Sequence, residues 1–307
     1  MNRRTLALSL LVSALIPPAL SSSRAADPAV PLSPAPAQPE AQPLQLRVLS
    51  FNLRYKNQND KDERSWESRR AEAVEVIRED KPDLIGYQEA LRSMLDDLGS
   101  LISGYEEIGV GREDGKTKGE YSAIWIKKDR FTVQESGTFW LSDTPEVPNS
   151  KTWGNRVTRV CTWTKLQDKP TGREFHFYNL HLDHESQEAR DKGTAQVIRF
   201  MENRRPAGPF VLTGDFNSGE DSSVVKAVRE SALGLVDSWR VLHPETPLSE
   251  SGTYHDFTGV RSRSKIDYIF VPKTARLIDA AIIYRHSGNV WPSDHYPLRA
   301  TVEFPAP

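Results

Sequence analysis

Six short segments carry side chains suited to moving protons or binding hard cations, and they sit at the ends of predicted strands. They are Asn52 and Arg54 in SFNLRY, Glu89 in YQEA, His181 and Asp183 in NLHLDH, Asp215 and Asn217 in GDFN, Asp267 in KIDYIF, and Asp294 with His295 in SDHYP. Carboxylates and amides are oxygen donors for small divalent ions, and histidine exchanges protons near neutral pH. A single acid after a strand is ordinarily a cap or turn residue. The meaning lies in the set, because α/β folds open their sites just beyond the ends of buried strands.

The elements that must position these groups can be read from periodicity and punctuation. Leu44–Phe51 alternates as a strand, Ser65 can cap a helix over Trp66–Asp80, and Lys81-Pro82 ends it. Asp83–Glu89 reads as a strand. Leu91, Met94, Leu95 and Leu98 form the stripe of a helix. Strands are predicted at Tyr121–Ile126, Phe131–Gln134, Arg159–Lys165 and Glu174–His181, and a helix at Gln187–Glu202. Further strands are predicted at Pro209–Thr213, Ile266–Val271, Leu277–Tyr284 and Leu298–Phe304. Consecutive strands without helices between them point away from a doubly wound sheet. They point to an α/β four-layer sandwich, two packed mixed β-sheets flanked by helices.

Composition excludes several classes. The chain has 307 residues, 37% of them hydrophobic and 27% charged, which is globular composition rather than disordered or collagenous. One cysteine, Cys161, rules out an intrachain disulfide and a multi-cysteine metal site; its place in alternating RVCTWTK predicts a buried thiol. Arg3 and Arg4, the apolar run Leu6–Ile16, and Ser23 and Ala25 before a possible cut predict a signal peptide over 1–25. Arg3-Arg4-Thr5-Leu6 also resembles a twin-arginine signal. The expected location is secreted or periplasmic. Residues 26–43 hold six prolines and read as an extended linker, so the folded domain is expected over 44–304. Without residues 1–25, 37 basic residues face 42 acidic ones, a balance of −5. Arg69-Arg70 and Arg204-Arg205 are isolated pairs expected on solvated faces. No basic run is available to grip duplex phosphates.

Several motifs mislead. HLDH at 181–184 lacks the first histidine of a binuclear zinc HxHxDH pattern, since Asn179 stands there. Ser293-Asp294-His295 cannot face one another as a triad, and no GxSxG elbow is present. Gly111–Thr117 ends in GKT with the wrong spacing for a phosphate loop and reads as a hairpin turn. His176 and Tyr178 read as core. The loop Tyr254–Asp256 could shape a pocket, and Trp66, Trp140, Trp153 and Trp291 could stack on a base or sugar.

The series SFNLRY, YQEA, NLHLDH, GDFN, IDYIF and SDHYP resembles the motifs of the endonuclease/exonuclease/phosphatase superfamily, the DNase-I-like fold. GTFWLSDTPE and ARDKG resemble a bacterial branch of it with unassigned substrates. The resemblance implies metal-assisted attack of water on a phosphate ester, with Mg2+ as cofactor and Mn2+ as a substitute. It implies Glu89 as metal ligand, with Asn52 contributing its amide oxygen and Asp294 at the edge. Asp215 would orient or deprotonate the water. Asn217 and His181 would donate to the phosphate, and His295 would be the acid/base group fixed by Asp267. Arg159, Asp183 and Arg54 are candidates for substrate contact. Many nucleases of this fold carry a second acid where Arg54 stands, so one metal is expected. The substrate expected from the charge balance is small or single-stranded rather than duplex DNA, acted on by a monomer without membrane insertion. The alternatives are a phosphoesterase for lipid or sugar phosphates rather than a nuclease, or a non-catalytic binding module on the same fold.

Overall fold

A computed structural model describes residues 42–204 and 208–306. The expected signal peptide and nearly all of the linker lie outside the described residues, as does Arg205. No described helix is long and apolar enough to cross a membrane.

Twelve strands form two six-stranded sheets. The first runs β11-β12-β1-β2-β4-β3, with β1 Leu44–Asn52, β2 Leu84–Gln88, β3 Tyr105–Ile108, β4 Ile124–Lys127, β11 Arg276–Ile282 and β12 Leu298–Phe304. The second runs β5-β6-β7-β8-β10-β9, with β5 Phe131–Trp140, β6 Val160–Asp168, β7 Glu174–His181, β8 Phe210–Asp215, β9 Leu235–Asp237 and β10 Asp267–Pro272. Each sheet is antiparallel except for one interior parallel pair, β1 with β2 and β7 with β8. Those pairs need crossovers, which the helices α1 Trp66–Asp80 and α3 Gln187–Glu202 supply.

Leu46, Val48, Leu84, Ile126, Phe177, Val211, Ile269 and Val302 fill the layer between the sheets. On the outer face of the first sheet, Leu49, Phe51, Ile85 and Tyr87 meet α1 and α2 (Arg92–Leu101) through Val74, Ile77, Leu95 and Leu98. On the other side, Leu180, Leu212 and Phe270 meet α3 and α4 (Ser223–Glu230) through Val197, Val225 and Val228. This is the expected four-layer sandwich. Strands covered on both faces lose alternation, and β2 and β8 are buried throughout.

Ser65 caps α1 by accepting from Ser68 N–H, and the helix stops at Lys81, which takes φ +48° before Pro82. Ser186 caps α3 in the same way. The strand over Tyr121–Ile126 is shorter than expected: Tyr121 makes only an isolated bridge to Ala90, and β4 begins at Ile124. β5 runs past Gln134 to Trp140 through a bulge between Val133 and Glu135, which breaks the alternation that would have revealed it. Gly111–Lys116 closes as a turn. β3, α4, β9 and α5 (Ser238–Leu242) were not anticipated; β9 and α5 are too short to show a period.

The sheets are joined near the site by a buried polar seam. The Asn179 amide donates to the carbonyls of Tyr87 (2.7 Å) and Ala123 (2.9 Å). Its oxygen accepts from Gln88 Nε2 (2.7 Å) and Thr213 Oγ1 (3.0 Å). The approach demands Gly86, because a Cβ there would lie 2.2 Å from Thr213 Oγ1 and 2.6 Å from Asn179 Oδ1. The missing zinc histidine is thus a structural asparagine that satisfies both sheets.

Candidate active site

The C-terminal ends of the two parallel pairs converge on one cavity of about 450 Å³. Asn52 ends β1, Glu89 follows β2, His181 ends β7 and Asp215 ends β8. β10 runs antiparallel to β8, so its first residue, Asp267, stands opposite Asp215. The loop before β12 brings Asp294 and His295 back to the same place, tied to Tyr254 by a bridge.

Glu89 adopts φ +59°, Arg54 +52° and Asn217 +47°. Left-handed backbone at three non-glycine residues around one cavity is stored strain of the kind found at functional sites. At Glu89 the turn aims the carboxylate inward, where Oε2 accepts from Tyr55 N–H (3.1 Å) and Oε1 from Asn52 Nδ2 (3.0 Å). The same Nδ2 donates to Asp215 Oδ2 at 3.0 Å, while Asn52 Oδ1 accepts from Arg54 N–H. The amide nitrogen of Asn52, rather than the expected oxygen, therefore faces the carboxylates and bridges them.

His295 Nδ1 lies 2.9 Å from Asp267 Oδ2, and its Nε2 lies 3.9 Å from Asp215 Oδ2. Burial disfavours the imidazolium, but Asp267, Asp215 and Asp294 outweigh burial and hold its pKa well above the ordinary value. Asp215 is raised as well, pushed up to about 7 by burial and by Asp267. Burial also raises Asp294. Glu89 is lowered despite burial, through His295, Asn52 and the Tyr55 N–H. His181 is driven well below the usual range by burial and by the positive fields of Arg159 and Arg112.

Of the two expected phosphate donors, Asn217 is already occupied and His181 presents an accepting nitrogen to it. Asn217 Nδ2 donates to His181 Nε2 (3.1 Å) and to Leu182 O (3.0 Å), so both its amide hydrogens are used within the protein. His181 Nε2 is an acceptor in that contact, and its Nδ1 is buried without a partner. Asp183 does not line the cavity. Its Oδ1 accepts from Glu185 and Ser186 N–H, and its Oδ2 lies 3.6 Å from Arg159 Nε, so it braces Arg159 instead of meeting substrate. Arg159 itself is 4% exposed and lines the cavity, not the strand surface. Arg54 also lines it, held by Asp60 at 2.9 Å.

Glu89, Asp215 and His295 each present a ligand atom within 4.8 Å of the others. With Asp267 and Asp294 close by, the cluster holds more carboxylates than His295 and Arg54 can balance. A hard divalent cation fits this set, being oxygen-rich, acidic and free of thiols.

A profile of the endonuclease/exonuclease/phosphatase family matches residues 49–295. The chain belongs to this family. Its members are hydrolases that act on phosphate esters, and the matched span runs from β1 to His295. A family member of known structure from Bacteroides thetaiotaomicron is 34% identical, with 86% of this chain and 99% of that one covered at a TM-score of 0.78. The mannosyl-6-phosphatase Bt3783 of the same organism is 33% identical, covering 84% and 99% at a TM-score of 0.76. Mouse Nocturnin is 25% identical over 76% of this chain. The chain spans 56% of Nocturnin's length, and only 17% of a mimivirus protein that is 31% identical over 119 residues.

Beyond the family motifs, sequence reading missed Arg112, Glu120 and His184 on the cavity wall. Arg112 sits in the turn dismissed as a false phosphate loop; its nearby acid, Glu120, was the available signal. Tyr254 lines the cavity as expected of its loop. The tryptophans do not. Trp66, Trp140 and Trp153 are buried, with their indole N–H groups donating to Asp97, the Arg112 carbonyl and Asp143, and Trp291 packs on His255 and His286. Arg69, expected on a solvated face, is fully buried and binds the carbonyls of Leu53, Arg54, Arg64 and Pro292, pinning the Arg54 and SDHYP loops together.

Proposed function

We propose that this chain is a Mg2+-dependent phosphoesterase that hydrolyses small phosphate esters. The observation that carries the reading is the meeting of Glu89, Asp215 and His295 on one cavity, with ligand atoms within 4.8 Å. Glu89, with Asp294 beside it, would hold the cation, which when bound withdraws charge from the phosphoryl and leaving oxygens. Asp215, with its raised proton affinity, takes the proton of the attacking water. His295, kept protonated by Asp267, donates to an oxygen on which charge builds. Asn52 keeps Glu89 and Asp215 at a fixed separation, and Asn217 holds His181 in one tautomer.

The size of the cavity supports a small substrate, as does similarity to a mannosyl-6-phosphatase. So does the internal placement of Arg69, which removes it from any surface patch for duplex phosphates. The reading includes export through residues 1–25 and action as a monomer outside the cytoplasm.

The test is purified protein with and without EDTA, assayed on mannose 6-phosphate, a short oligoribonucleotide and duplex DNA at about 0.15 M salt. The expected result is turnover of the small ester that EDTA abolishes and Mg2+ restores. Full activity in EDTA, or tight duplex binding that weakens steeply with salt, would falsify the reading. Export is checked by fractionating cells that express the full chain; retention of uncleaved protein in the cytoplasm removes that part.

A further inference from the structure

The acidic cluster occupies one side of the cavity, and on the other stand two buried guanidinium groups. Arg112 is 7% exposed and Arg159 4%. Burying a charged group is tolerable only when its hydrogen-bonding capacity is met. A guanidinium carries five N–H donors. Among the described residues, Arg112 donates from its side chain only through Nη2, to Glu120 Oε1 at 2.6 Å. Arg159 donates only through Nη2, to His184 Nδ1 at 2.8 Å, while its Nε is buried without a partner 3.6 Å from Asp183. Most of the donor capacity of two enclosed cations is therefore unused, and both line the cavity.

Their position relates them to the reacting centre rather than to a distant rim. Arg159 and Arg112 are the two charged groups that weigh most on His181, whose Nε2 is 3.5 Å from Asp215 Oδ2. With both Asn217 amide hydrogens spent on His181 and Leu182, these arginines join the unpaired His181 Nδ1 as the unmet donors on that side.

Building on the phosphoesterase reading, we propose that Arg112 and Arg159 form a two-guanidinium clamp for the terminal oxygens of a phosphomonoester dianion, making the chain a monoesterase in preference to a diesterase. A monoester offers three terminal oxygens and two negative charges, matching two forked donors. A diester presents one charge, and its second ester arm would stand against a guanidinium without bonding it, leaving that cation desolvated and unmet. Glu120 and Asp183 keep each arginine in place without occupying its free edge.

The experiment compares p-nitrophenyl phosphate with methyl p-nitrophenyl phosphate, which share a leaving group and differ by one charge and one methyl. Wild type is expected to favour the monoester in kcat/KM. Arg112→Lys and Arg159→Lys keep the charge beside Glu120 and Asp183 but remove the fork. Each is expected to lower monoester kcat/KM by about 10²-fold, the usual scale for losing an aligned donor, while diester turnover changes several-fold less. A parallel arm measures inorganic phosphate binding by calorimetry in EDTA, where wild type should bind and the lysine variants should bind at least about tenfold more weakly. Thermal unfolding confirms that the variants are folded. A wild-type preference for the diester, equal losses on both esters, or unchanged phosphate binding in both variants would overturn the clamp. Diester preference alone leaves the phosphoesterase reading standing. If neither ester is hydrolysed with Mg2+, that reading fails, and the phosphate-binding arm still decides the clamp.

Discussion

The two sheets reach the cavity by the same construction and deliver different chemistry. Each uses an interior parallel pair whose strands end together. The first pair, β1 and β2, delivers Asn52 and Glu89, a carboxylate fixed by an amide and a backbone N–H. The second pair, β7 and β8, delivers His181 and Asp215, and the neighbouring β10 adds Asp267, which holds His295. On the proposed reaction, one half supplies a fixed acceptor and the other the proton-moving groups. The contrast shows in their pKa values: Glu89 is lowered while Asp215 rises to about 7, although the two acids are linked through one amide. Asn179 and Gly86 hold the two halves in register.

Removing the acceptor from the first half should have the largest effect. Glu89→Gln is expected to lower kcat/KM by about 10⁴-fold or more, read with saturating Mg2+ on the small ester; loss of under tenfold would show that the carboxylate is not the anchor. On the second half, His295→Ala is expected to lower kcat by about 10²–10⁴-fold with the fold intact by circular dichroism. Asp267→Asn should fall within that range or below it, since it disturbs the histidine's orientation and charge without deleting the ring. Near-native rates in both would uncouple the halves.

The seam between the sheets can be broken without touching the cavity. Asn179→Ala leaves two carbonyls, Gln88 Nε2 and Thr213 Oγ1 without that partner, and is expected to destabilise the protein by about 3 kcal/mol in urea unfolding. A change under about 0.5 kcal/mol would mean that water or rearrangement replaces the amide.

The smallest effect is a pH dependence on the second half's flank. His255 is fully buried against Tyr296, and burial together with His295 and Arg263 pushes its pKa down to about 3. The unfolded chain takes up this proton near pH 6.5 and the folded one only near 3, so between those values stability falls as pH falls. From pH 7 to pH 5 this group should cost roughly 2 kcal/mol. His255→Phe keeps the stacked ring and removes the titration. Its urea midpoint should drop less than wild type's over that range, and an equal drop would assign the acid sensitivity elsewhere.

Much of this comparison was legible before any coordinates. Buried strands followed by polar residues marked Asn52, Glu89, His181 and Asp215, because an apolar run that ends on an acid or histidine is visible in one dimension. Asp267 and His295 were legible as motifs, although their contact at 2.9 Å joins residues 28 apart and leaves no periodic trace. The Arg112–Glu120 pair, eight residues apart across one turn, left a faint trace, whereas Arg159–His184 was illegible because it depends on how the ends of two neighbouring strands meet. The structural role of Asn179 was hidden for a related reason. Viewed along the chain it is a defective metal motif, and only the apposed sheet shows the four partners that make it an asparagine. Arg69 was misassigned because amphipathic reading treats every arginine on a helix as solvent-facing, whereas four carbonyls at loop ends can satisfy one internally.

The pairing of β1 with β12 sets Leu44 opposite Phe304, while Asn52 and the SDHYP loop lie at the other end of the same two strands. Nine strand residues separate Leu44 from Asn52 inclusively, a run of about 27 Å. Both ends of the domain therefore leave from the pole opposite the cavity. Anchored by either end to a bead, a fused partner or an envelope surface, the domain would turn its mouth toward the medium. Attachment chemistry at the termini and substrate entry need not compete for space.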